Sequence, residues 1–303
     1  MGRRRLPIAI LTIEGTNCDR ELAVALDAVG AAPEVVHLKQ FGDGVPTSAR
    51  RRLDDYGAVF FPGGFSAGDY VRAGAILAAR VRAAIGDQLE AFVRSGRLVG
   101  GICNGFQVVT ELGLLPGRAG GRLGPPEAAL VANDSGRYEC RPTFVATTGA
   151  RFPPLGDVPA GTRYLFPSGH GEGKLVLAGG GARRRELEAR GQVLFRWVAP
   201  DGGPAVYPWN PNGSEGDIAG LTNPEGNVFG LMPHPERAFF RAQAPDWSRG
   251  GSSEGFGDGR PFFERLVRYA ESTAEVPTGG AARDGAFPPP AAVRPPPAAV
   301  PRR

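Results

Sequence analysis

The stretch Leu98-Val-Gly-Gly-Ile-Cys103-Asn-Gly-Phe-Gln107 decides how this chain is read. Leu98–Ile102 is apolar throughout, as a buried central strand of a parallel sheet should be. Asn104–Leu112 has the pattern of a helix. Between them stands Gly101-x-Cys103-x-Gly105. A strand that turns into a helix through a glycine-flanked nucleophile is a nucleophile elbow, here with Cys in place of Ser. Glycines on both sides permit a tight, strained turn with neighbouring chain close by. The sulfur is then pushed out at the carboxyl end of the strand, where open α/β sheets bind ligands. The helix start beneath it favours a thiolate and offers N–H groups to an oxyanion. An isolated Cys would read more simply as a small buried residue. The strand–turn–helix setting outweighs that reading.

Outward from this centre, strand and helix alternate. Leu6–Ile13, Glu34–Leu38 and Ala58–Phe61 read as strands. A helix capped by Asn17 or Asp19, with Leu22, Ala25, Leu26 and Val29 on one face and Gly30 at its end, separates the first two. Ala73–Val93 is mostly helical. This rhythm implies an α/β fold: an open, mostly parallel sheet with helices on both faces. From Leu130 to Val198 the pattern changes to short strand-like runs between Gly and Pro turns, namely Leu130–Ala132, Tyr138–Val145, Lys174–Leu177 and Val193–Val198. These read as an antiparallel excursion of the same domain. Asn227–Met232 returns to a buried strand, and Phe262–Ala270 is a last helix.

Composition narrows the function. The 303 residues are 42% hydrophobic, enough for a core. No apolar run approaches the ~20 residues of a membrane helix. Met1-Gly-Arg-Arg-Arg before Leu6–Ile13 imitates a secretion signal, but Glu14 ends the run and no cleavage pattern follows. Three cysteines, Cys18, Cys103 and Cys140, cannot build a disulfide framework and point to a reducing cytoplasm. Of the 35 Lys and Arg residues only Lys39 and Lys174 are lysine, and the net charge is +4. The basic residues are scattered among acids, which argues against nucleic acid as a partner. The phosphate-cradling glycine loops, C-x-x-C and H-E-x-x-H are absent, so neither a nucleotide fingerprint nor a metal site is expected. Residues 1–273 form the expected domain. Residues 274–303, rich in Pro, Ala and Arg, read as a disordered tail.

A thiolate needs a base. His234 stands in Met232-Pro-His-Pro-Glu-Arg237, held extended between two prolines. Residues two apart on extended chain point the same way, so His234 and Glu236 share a side. The carboxylate then fixes the tautomer and leaves the other ring nitrogen for the thiol. Oxyanion donors are expected from the backbone N–H of Asn104 and from Gly64, in Pro62-Gly-Gly-Phe-Ser-Ala-Gly-Asp69 at the end of the third strand.

The Cys elbow, Pro-Gly-Gly loop and His-x-Glu cassette, in this order, resemble the class I (triad) glutamine amidotransferases. Glu14–Glu21, Asn133–Arg141, His170-Gly-Glu-Gly-Lys174 and Asn212–Gly220 narrow the resemblance to the glutaminase subunits of phosphoribosylformylglycinamidine synthases, over nearly all of residues 6–272. The resemblance implies a flavodoxin-like fold and a γ-glutamyl thioester on Cys103. It makes His234 the general base and acid, has Glu236 orient it, and lets Gln107 help bind glutamine. It implies a synthetase partner that holds ATP and Mg²⁺ and amidates formylglycinamide ribonucleotide with the ammonia, with a small bridging subunit as a further member, for purine biosynthesis. His170 is open to an interface, a tunnel or a structural role; Cys18 and Cys140 read as bystanders. Other Cys hydrolases of this fold, such as deglycases, lack this cassette. A non-catalytic regulatory subunit would be favoured by an altered Cys, His or Glu. The tail and Ala242–Gly259 depart from the family pattern.

Overall fold

The computed structural model describes residues 5–249 and 254–274. The tail assigned to 274–303 lies outside them beyond Ala274. Among the described residues, one sheet of nine strands carries the fold, in the order β2-β1-β3-β4-β11-β10-β9-β6-β7. Its parallel half comprises β1 (Pro7–Thr12), β2 (Ala32–His37), β3 (Ala58–Phe61), β4 (Leu98–Ile102) and β11 (Val228–Leu231). Helices α1 (Asp19–Ala28), α2 (Ala75–Arg94), α3 (Asn104–Glu111) and α5 (Gly259–Thr273) pack on it. Strands β6 (Glu139–Thr147), β7 (Arg163–His170), β9 (Val193–Val198) and β10 (Ile218–Thr222) continue the same sheet antiparallel. Helix α4 (Gly180–Ala189) packs against Lys174–Leu177 and the 3-10 turn Glu215–Asp217. The excursion is therefore largely an extension of the main sheet. β5 (Ala128–Val131) and β8 (Lys174–Leu177) instead pair only with each other, as a separate ribbon.

β3 and β4 are buried along their whole length, as a strand covered on both faces requires. Three details differ from the sequence reading. Neither Asn17 nor Asp19 caps α1; Cys18 occupies the cap position without a side-chain bond. β7 carries Pro167 and Gly169, which mask its strand pattern. α4 opens on two glycines and buries only Leu187, so it lacks an apolar stripe.

Register places the site. Phe61 of β3 pairs with Gly101 of β4, and Ile102 of β4 pairs with Leu231 of β11. The three strands run parallel, so the residues just beyond them emerge at one rim. Those residues are Gly63-Gly64, Cys103 and His234. The Cys103 N–H donates to Leu231 O at 2.8 Å, which ties two of the ends together.

The elbow depends on close approach at Gly105. A Cβ there would sit 1.8 Å from the carbonyl oxygen of Phe61. Gly105→Ala must push α3 off β3, in a core without slack. It is expected to destabilise the protein by about 3 kcal/mol or more, read as a lower urea midpoint. An unchanged midpoint would mean that the elbow is not packed as described.

Candidate active site

Cys103 sits at φ 53°, ψ −108°, a left-handed conformation that costs a side-chain-bearing residue free energy and clusters at functional sites. Its thiol donates to Gly169 O at 3.5 Å, a contact with β7. α3 begins at the next residue.

His234 is buried, and its Nδ1 meets Glu236 Oε1 at 2.5 Å. That leaves the other ring nitrogen for the sulfurs. Burial opposes charge on His234, yet the Glu236 carboxylate and the Cys103 sulfur prevail and hold its pKa well above the ordinary range. Convergence is visible at Gly63. A Cβ there would lie 2.7 Å from His234 Cε1, 3.0 Å from Cys18 Sγ and 3.4 Å from Cys103 Cβ. The sequence-predicted nucleophile, base and orienter are thus brought together. So is Cys18, which the sequence reading set aside: its sulfur is one of the ring's hydrogen-bonding neighbours and accepts from Arg237 Nη2 at 3.2 Å. Cys140 is exposed and stands across β6–β7 from Gly169, whose carbonyl meets the Cys103 thiol.

Gly64 has φ +140°. It bridges to Thr16 through bonds made by its neighbours, Asn17 N–H to Gly63 O and Phe65 N–H to Gly15 O. That bridge leaves the Gly64 N–H out. Gly64 and Cys103 line a cavity of about 100 Å³ together with Asp69, Gln107, Tyr138 and Glu172. Gln107 lines it with its amide engaged at both ends: Oε1 accepts from Asn104 Nδ2 at 2.9 Å, and Nε2 donates to Glu172 O at 2.6 Å. Its visible work is to brace the wall.

Sequence reasoning missed Asp69 and Glu172, although both lie in quoted stretches. Burial, and then the nearby Glu172 charge, push Asp69 up to about 6. Two carboxyl groups in one small cavity suit a ligand with a cationic end. Asp69 stands at φ 52°, a second strained residue at the same rim.

His170 is buried at the end of β7 and belongs to the cavity wall. Asn133 settles its tautomer. Asn133 Nδ2 donates to the carbonyls of Arg137 and His170, each at 2.8 Å, so Oδ1 is the acceptor. That oxygen already receives Gly173 N–H at 3.0 Å and faces His170 Nδ1 at 3.2 Å. Nδ1 therefore carries the proton. Burial, with His234 nearby, lowers the His170 pKa to about 4, and the ring is neutral at physiological pH.

An acylatable sulfur, a paired imidazole, N–H donors and an acid-lined cavity together suit acyl transfer from a small zwitterionic amide. A family model described as a CobB/CobQ-like glutamine amidotransferase domain matches residues 5–270. The chain is 44% identical to the phosphoribosylformylglycinamidine synthase subunit PurQ of Archaeoglobus fulgidus, over 89% of this chain and 99% of that one. It is 42% identical to the protein of the same name from Picrophilus torridus, over 85% and 96%. The solved structure of PurLQS from Thermotoga maritima contains a chain that superposes with a TM-score of 0.64 at 31% identity, covering 88% of this chain and 99% of that one.

Proposed function

The chain belongs to the CobB/CobQ-like glutamine amidotransferase family, and from that premise we propose that it is the glutaminase subunit of a phosphoribosylformylglycinamidine synthase. What supports the reading most is that three adjacent parallel strand ends bring Cys103, His234 and Gly64 to one rim.

His234 holds the proton taken from Cys103, and Cys103 Sγ attacks the side-chain amide carbon of L-glutamine. The N–H groups of Gly64 and Asn104 hold the developing oxyanion. His234 then gives the proton to the departing nitrogen, which leaves as ammonia. A γ-glutamyl thioester remains on Cys103. His234 next takes a proton from water, which hydrolyses the thioester to glutamate. Glu236 holds the imidazole in the tautomer this requires. Asp69 and Glu172 face the α-ammonium group, and Gln107 braces Glu172. The ammonia passes to a synthetase subunit, which binds ATP and Mg²⁺ and amidates formylglycinamide ribonucleotide in purine biosynthesis; a small bridging subunit completes the assembly. Among the described residues no helix is long and apolar enough to cross a membrane. Three free cysteines accord with a cytoplasmic enzyme.

A glutamine-like chloroketone, followed by peptide mass spectrometry, tests the assignment. The adduct is expected on Cys103 and is lost in His234→Ala. Label on Cys18 or Cys140 instead would overturn it.

The acid pair makes a pH prediction. Above pH about 6 Asp69 is ionised and attracts the ammonium group; below, it is protonated. The KM for glutamine should rise about tenfold from pH 7 to pH 5, since one unit below its pKa only about a tenth of a carboxyl group is ionised. Asp69→Asn should show a high, flat KM across that range. A wild-type KM that stays level would remove Asp69 from recognition.

A further inference from the structure

The rim of the catalytic cavity carries apolar side chains that stand in water. Phe65 and Tyr138 line the cavity and are 44% and 52% exposed, with ring centroids 6.2 Å apart. Asp69 and Ala73 also line it. Between those two the chain presents Tyr70 and Val71, which are 89% and 72% exposed. Single apolar residues scattered over a surface need no explanation, but a group of them around one opening marks a contact surface. Tyrosine is also among the residue types that dominate the binding energy of protein interfaces.

The corner that presents them is held in place. The Arg72 guanidinium makes a two-pronged ion pair with Glu111 at the end of α3, Nε to Oε1 at 2.7 Å and Nη2 to Oε2 at 2.5 Å. The Ala73 N–H donates to Glu172 Oε2 at 3.1 Å. The Tyr70 ring lies over Gly68, where a Cβ would stand 3.0 Å from Tyr70 Cε2. The Tyr138 hydroxyl lies over Gly169 in the same way, at 3.0 Å from a Cβ placed there. Apolar groups braced like this lose little freedom when covered, so more of their burial appears as affinity.

We propose that Phe65, Tyr70, Val71 and Tyr138 form the surface on which the synthetase subunit docks, so that the cavity opens into the partner rather than into water. The proposal rests on the glutaminase reading, which sends ammonia from Cys103 to a second active site. Ammonia that escapes into neutral water becomes ammonium and is no longer a nucleophile, so the handover needs a cover that excludes water. The patch is continuous with the mouth through which that handover takes place. Its make-up is that of an interface core, apolar and aromatic, with Asp69, Arg72 and Glu172 as charged neighbours. A second copy of this chain on the same surface would offer the ammonia no acceptor.

The test measures the affinity of the full-length chain for the synthetase, with the bridging subunit and glutamine present. Tyr70→Ala and Val71→Asp are each expected to weaken it at least tenfold. Chloroketone labelling of Cys103 in the free variants should match that of the unaltered chain. Val24→Asp, at an exposed apolar position on α1, should leave the affinity unchanged. Tyr70→p-benzoylphenylalanine, irradiated in the assembly, should crosslink to the synthetase. Unchanged affinity in both Tyr70→Ala and Val71→Asp would overturn the proposal. So would an equal loss in Val24→Asp, or a crosslink only to the bridging subunit or to a second copy of this chain. Each of those results leaves the Cys103 adduct in place, whereas failure of the glutaminase reading would remove the adduct itself.

Discussion

Cys103→Ala is expected to lower glutamine hydrolysis by at least about 10⁴-fold in kcat, with the fold retained. The size follows from what remains. His234, Glu236 and the N–H donors can still hold an amide, but no acyl acceptor stands at the rim. Cys18 cannot take over. It shares the imidazole but is absent from the walls of the cavity where the amide would bind. Removing one sulfur from a buried position costs about 1 kcal/mol, a small part of a domain's stability. The decisive comparison is made in complex with the synthetase. Glutamine-dependent amidation should vanish, while amidation fed with an ammonium salt should continue at the wild-type rate. Glutamine hydrolysis within tenfold of wild type would rule out the thioester route. Loss of both activities would mean that the substitution had damaged the assembly.

The site was legible in the sequence wherever local chain geometry carried it. The glycines around Cys103 and the prolines around His234 describe conformations that a few residues impose on themselves. The structure has the elbow and an extended His234, but Pro235–Ala238 turns at once into a 3-10 helix, so Glu236 meets the ring across a turn and not along extended chain. The strand range Leu98–Ile102 matched because a continuous apolar run has one cheap burial. What could not be read depends on long-range placement. Cys18 stands over two hundred residues from His234 in the chain, and its place beside the ring comes from β1 lying next to β3. Asp69 and Glu172 meet only because the residues just beyond β7 return to the rim. An acid in a glycine-rich stretch has no local signature that sets it apart from a solvated turn. β7 was missed for the opposite reason: its Pro and Gly gave a local signal that tertiary pairing with β6 overrides.

Glu236→Gln is the second change with a large effect, expected to lower kcat by roughly 10³–10⁴-fold while the side chain keeps its shape. Gln at 236 can still accept the His234 Nδ1 proton through its amide oxygen, so geometry alone is little disturbed. What disappears is the charge. Burial opposes a positive imidazole, and the charge of Glu236 leads the effects that overcome it, ahead of the sulfurs of Cys103 and Cys18. Without the carboxylate, His234 reverts toward the neutral form that burial favours. Taking the Cys103 proton then creates an imidazolium with no counter-charge behind it, in a site closed to water. The thiolate becomes rarer and the ammonia-forming proton transfer slower, so kcat and kcat/KM should fall together with KM little changed. Glu236→Asp tests the same point by distance. It keeps the charge but is one methylene too short to hold the 2.5 Å contact without movement, and should fall between wild type and Gln. If Gln at 236 ran within tenfold of wild type, the carboxylate would be packing rather than electrostatics. The imidazole would then owe its raised pKa to the sulfurs of Cys103 and Cys18 alone.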